Sequence, residues 1–213
     1  MGVSRLFGYW VGAFAVGLAA ASADAAAQGA LEQDPDWPCE QALVPQVSAA
    51  VVWDGPPVDG LQGDWHAEPG VRALVEGITR PQASEAEAQQ AIDAFAAGLA
   101  PGDKDRMLTL AFAGVLETLN QDRGSLISGI KRYSRDQARR AQALGGELDE
   151  LVRLEQDTSE SARQELEALK KRLELEQRIF DEREQTIPYL CLRPVSVEQR
   201  LGFLARALAA YLD

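Results

Sequence analysis

The chain has 213 residues, with 21 Lys and Arg against 33 Asp and Glu, a formal net charge of −12. That length fits one domain with extensions, and so acidic a chain argues against nonspecific contact with nucleic acid or an anionic bilayer. Aromatic residues make up only 7%, too few for an aromatic-rich β-sandwich, while Ala, Leu, Glu, Gln and Arg favour helix.

Residues 1–27 read as a secretory signal: Arg5 is the only charged side chain of the short segment before the apolar run, and Leu6 to Ala20 is unbroken apolar sequence followed by small residues. Cleavage is expected after Ala25-Ala26-Ala27, with Ala21-Ser22-Ala23 as the second site. The alternative is an uncleaved anchor, since Leu6 to Ala23 reaches the short end of a membrane span. Both readings place the rest outside the cytoplasm, in the periplasm. Cys39 and Cys191 are the only cysteines, and an even pair in an exported chain reads as one disulfide.

Residues 28–65 are expected to be an irregular wrapping segment, because Pro35, Pro38, Pro45, Pro56 and Pro57 are half of all the prolines. Trp37, Trp53 and Trp65 fall here. They read either as packing onto helices or as an aromatic edge that binds a partner. Ala49 to Trp53 is expected to be a short extended piece.

Residues 66–213 are expected to form the helical domain. Val71, Leu74, Val75 and Ile78 make one apolar stripe, ended by Pro81. Ser84 with Glu87 is a capping-box pattern that opens a helix carrying Ile92, Phe95 and Leu99. Pro101-Gly102 turns the chain, and Asp103 is expected to cap the next helix.

Residues 103–186 then form a long antiparallel, coiled-coil-like helical hairpin, which makes the expected class all-α with shorter helices packed at the hairpin's base. Asp103 to Gln185 contains no proline. One stripe steps through Leu108, Phe112, Val115, Leu119, Leu126, Ile130 and Tyr133, and continues through Ala141, Leu144, Leu148 and Leu151. A second runs through Leu166, Leu169, Leu173 and Phe180. The expected turn is the polar run Glu155 to Ser161, with Asp157 and Glu160 as a capping pair. Gly145-Gly146 is the alternative, since two glycines inside a helix cost roughly 2 kcal/mol. The basic run Lys131 to Arg140 is expected to face acids of the returning helix: Lys131, Arg132 and Arg135 opposite Asp181, Glu182 and Glu184, and Arg139 and Arg140 opposite Glu174 and Glu176. Gly114, Gly124 and Gly129 are read as points of close helix approach. Ile187 to Pro194 holds two prolines and is expected to be a connection, after which Ser196 and Gln199 open a last helix burying Leu201, Leu204, Ala205, Leu208 and Leu212.

The tetrad Asp36-Trp37-Pro38-Cys39, the run Arg178-Ile179-Phe180-Asp181-Glu182-Arg183 and the triplet Tyr189-Leu190-Cys191 together resemble an uncharacterised group of secreted proteobacterial helical proteins. That resemblance implies an exported compartment and the disulfide. It implies no activity and no site residues.

Chemistry is sparse. His66 is the only histidine, without a nucleophile elbow, a second zinc ligand or a phosphate-binding loop. The expectation is therefore a non-enzymatic protein with no cofactor or metal, an interaction, scaffold or assembly factor that docks through the hairpin or the tryptophans. Its expected partner is another envelope protein or a second copy of itself. The alternatives are a small-molecule or lipid carrier with a cavity lined by Phe95, Phe112 or Phe203, a membrane-anchored envelope subunit, and an enzyme built around His66.

Overall fold

The computed structural model describes residues 34–61 and 63–213, so the expected signal segment and its cleavage site lie outside the described residues. The protein is all-α: no strand occurs among the described residues. Six helices follow one another, α1 (Ala49–Val52), α2 (Pro69–Ile78), α3 (Glu85–Ala97), α4 (Lys104–Gln156), α5 (Glu160–Glu184) and α6 (Ile187–Ala209).

The 53-residue α4 is the axis. At 1.5 Å per residue it is about 80 Å long, and it reads straight through Gly145-Gly146, as burial of a leucine stripe predicts. The chain reverses within Asp157 to Ser159, so the polar run is the turn. Its caps differ from the expected pair. Ser159 is the N-cap of α5, accepting from the Ala162 amide, while Asp157 ends α4 and its Oδ1 accepts from the Ser159 amide at 2.9 Å. Asp103 likewise makes no capping bond; a short 3₁₀ turn, Pro101–Asp103, leads into α4 instead.

Three apolar clusters lie along α4. Its first part forms the main core with α2, α3 and α6, in which Phe112, Leu108, Val71, Ile92, Leu204 and Leu208 are fully buried. All four residues of the α2 stripe are buried. The Ser84–Glu87 box forms as expected, with the Glu87 carboxylate accepting from the Ser84 amide at 2.8 Å. Ile127 and Ile130 join a middle cluster with Trp37, Cys39 and Cys191. Leu154, with Leu144 and Leu151, meets Ala162, Leu166, Leu169 and Leu173 in the arm.

Three expectations are corrected around α6. Ile187 to Pro194 is not a connection but the first two turns of α6, and Ser196 lies inside that helix rather than opening it. Only Gln185 and Thr186 separate α5 from α6. Pro188 occupies the first turn, where its missing N–H costs nothing. Pro194 is buried within the helix and interrupts the ladder there. Gln41 Nε2 donates to the Cys191 carbonyl in that stretch, at 2.7 Å. Leu201, Leu204, Ala205 and Leu208 are buried, whereas Leu212 lies past the helix end and is half-buried.

The early segment wraps α4 and α6. Cys39 and Cys191 form a disulfide with a Cα–Cα distance of 5.6 Å. Buried Arg123 pairs with Glu198 at 2.7 Å and donates to the carbonyls of Val44 and Pro45. Asn120 bonds both backbone groups of Val47, at 2.9 and 3.0 Å. Helix side chains thus satisfy backbone groups that proline-rich sequence cannot pair with itself. The expected extended piece at Ala49 to Trp53 is the one-turn helix α1, N-capped by Ser48.

The basic run meets its expected partner at one place, Arg140 with Glu176, and otherwise finds different ones. Lys131 and Arg135 reach Asp34 and Asp36 of the wrapping segment, both at 2.6 Å, not the acids of α5. Arg139 pairs with Asp136 on its own helix, and Arg140 reaches Glu176 at 3.9 Å. At the base of the arm buried Gln137 donates to Glu184 at 2.8 Å and accepts from Arg183 Nε, while Arg183 stacks over the Tyr133 ring at 4.4 Å. Every group of that knot has a fixed geometric partner, which pins the register of α5 on α4.

A pH dependence follows. The Lys131 ammonium holds the Asp34 carboxyl below its ordinary range, and the hydrogen bond from Arg139 does the same for Asp136. A depressed carboxylate contributes stability above its ordinary value of about 3.9, and loses it as pH falls through the depressed one. Thermal unfolding midpoints are therefore expected to be flat from pH 7 to 5 and to fall below pH 4. Added salt should reduce the drop, because these groups face solvent.

Candidate functional site

The three tryptophans do not converge. Trp37 is buried against the disulfide and donates from Nε1 to the Gln41 carbonyl at 2.8 Å. Trp53 is buried in the main core, its ring stacked on Phe112 with centroids 4.1 Å apart. Both therefore pack on the helices instead of forming a shared aromatic edge. Trp65 is half-buried and donates to Glu117 at 2.9 Å; it lies against Gly114, where a Cβ would come within 2.8 Å of its ring. Gly114 is a point of close approach as expected. Gly124 and Gly129 are not: around the first there is open space, and beside the second only the end of Arg132.

His66 stands exposed in a 3₁₀ turn, Trp65–Ala67, with Nδ1 2.8 Å from Asp64 Oδ1 and its ring against Trp65. Asp64 spends its carboxylate on the turn itself, accepting from the His66 amide, and that bond holds its pKa down. Phe112 is sealed by Trp53, so packed side chains fill the place where a carrier cavity lined by that residue would lie. Among the described residues no three potential metal ligands come together, and no helix is long and apolar enough to cross a membrane.

What remains is the arm. Beyond Gln137, α4 packs on α5, whose substantial contacts are all with α4. Two helices bury only a narrow seam between them, one or two residues per turn. Leu144, Leu151 and Leu154 fill that seam. Leu148, expected in the stripe, does not: it is 54% exposed, and Val152 one turn on is 53% exposed. Ala141 and Gly145 are exposed as well. Steps of four, three and four place Ala141, Gly145, Leu148 and Val152 on one outward face.

No family model matches the chain, and no curated protein or solved structure does so either. The functional reading therefore rests on this geometry alone.

One glycine, Gly145, lies on that outward face, while Gly146 stands further round the helix on the side of Gln142, Asp149 and Arg153. Nothing lies within 4 Å of where a Cβ would stand at Gly145 or Gly146. Packing within the chain gives no reason for either glycine, yet each weakens the helix by about 1 kcal/mol relative to alanine. The apolar period across 141–152 was legible in the sequence, but which part of it faces α5 was not, since one stripe serves two faces until the partner helix is in place.

Proposed function

We propose that this is a non-enzymatic periplasmic interaction or assembly factor, which presents the outward face of its arm to a helix of a partner envelope protein. The observation that carries the reading is Gly145 with empty space over it, on one face with exposed Leu148 and Val152. A bare backbone lets another helix approach closely, and an apolar rim beside it supplies area to bury. The disulfide and the apolar leader support export.

Alanine at both glycines separates the two roles. Gly145→Ala with Gly146→Ala is expected to raise the thermal midpoint of the isolated chain, each adding about 0.8–1 kcal/mol of helix stability, while weakening the complex. A photocrosslinker in place of Leu148, used in envelope extracts, should yield one stoichiometric adduct. That adduct should vanish with Val152→Glu. Light scattering on the purified chain tests whether the partner is a second copy. Alanines that stabilise the chain and leave the adduct intact would remove the glycine argument; no adduct at all would remove the docking face.

A further inference from the structure

A groove of about 700 Å³ lies among α4, α6 and the loop after α2. Asp122, Ser125 and Leu126 of α4 form one wall, and Arg193, Ser196 and Arg200 of α6 face them across it. Steps of three and four along α6 bring its residues onto one face. Thr79, Arg80 and Pro81 close one end.

The arginines are the unusual feature. In a chain with twelve more acids than bases, a guanidinium ordinarily finds a carboxylate, and most of those in this fold do. Among the described residues six arginines have no acid within 4.0 Å, Arg72, Arg80, Arg132, Arg193, Arg200 and Arg206, and Arg80, Arg193 and Arg200 of these line one groove. Arg80 Nε donates to the Gly77 carbonyl at 3.2 Å, and Arg200 Nη2 to the Ile78 carbonyl at 2.7 Å. Arg200 Nε is shielded from solvent and has no partner among the described residues. A buried donor left unpaired carries a desolvation penalty that an acceptor in the groove would relieve. Two carboxylates also border the groove: Glu85 in the first turn of α3, and exposed Asp122 on the opposite wall.

We propose that this groove binds a small, multiply charged anion bearing carboxylate or phosphate groups. Planar guanidinium forks match both groups, and the volume lies in the range of small-ligand sites. Ser125, Ser196 and Gln199 add neutral donors around the anion. Asp122 opposes binding, which limits affinity and gives the proposal a signature of its own. The inference does not depend on the arm.

The test titrates the purified full chain with citrate and with inorganic phosphate by calorimetry, at constant ionic strength held with NaCl. At least one of the two is expected to bind with one-to-one stoichiometry and to raise the thermal midpoint above that of the salt control. The Arg193 side chain makes no hydrogen bond or ion pair among the described residues, so Arg193→Gln should leave the unliganded midpoint unchanged and lower affinity by at least about tenfold. Asp122→Asn should tighten binding. Binding indifferent to both substitutions, or heat equal to the NaCl control for both anions, overturns the proposal. Binding only to phosphatidylglycerol vesicles, with no response to either soluble anion, overturns it as well and assigns the groove to a lipid surface.

Discussion

Replacing Cys39 and Cys191 with serine is expected to lower the free energy of unfolding by about 5 kcal/mol, the chain-entropy value for a loop of this length. The two residues are 152 positions apart, so the bond closes most of the described chain into one ring. A domain this size holds about 5–15 kcal/mol in all, and the loss should be visible as a large drop in urea midpoint. It should also be regional. The middle cluster is small, with Trp37, Ile127 and Ile130 around the bridge, and the other anchors of residues 34–47 are ion pairs and hydrogen bonds rather than buried apolar contacts. Amide exchange is expected to rise first at residues 34–47, and Trp37 fluorescence to shift toward that of a solvated indole, while Gln137 and the arm stay protected. Uniform exchange across α4 would show that the bridge stabilises the whole core instead.

Phe112→Ala is the second large effect, with a loss of about 3–5 kcal/mol, the range for an emptied aromatic site. Phe112 is fully buried, and its ring lies 4.1 Å from that of Trp53 with 4° between the planes. The cavity would open between α4 and the loop that holds Trp53, whose own Nε1 is fixed to the Pro56 carbonyl at 2.8 Å. Because the indole cannot turn within its loop to fill the space without losing that bond, little collapse is expected. Phe112→Leu should recover part of the loss. Chemical denaturation of the two variants checks this order.

Local rules were enough for several elements. The Ser84–Glu87 box and the α2 stripe needed only their own sequence, since each is made of groups a turn apart. The long hairpin was legible for the same reason: without proline from 103 to 185, only a polar run could stop the leucine seam. Long-range partners were not legible. Pro194 reads as a helix breaker until Gln41 is seen to bond the Cys191 carbonyl, 150 residues on, one turn before the proline. Lys131 and Arg135 read as complementing α5 until Asp34 and Asp36 are brought to them by the bridge at Cys39. The groove arginines come from positions 80, 193 and 200, joined only by the packing of α2 and α6 against α4.

One long helix supplies the arm, the bridge cluster and the core without an intervening joint. Whatever grips the far end therefore acts on a lever whose other end is embedded among Leu108, Phe112 and Val115. Along that helix the glycine pair is the stretch where two adjacent residues each disfavour helix by about 1 kcal/mol relative to alanine. Under load, bending should concentrate there, and stiffening that point would carry the strain inward to the layer beside Trp53.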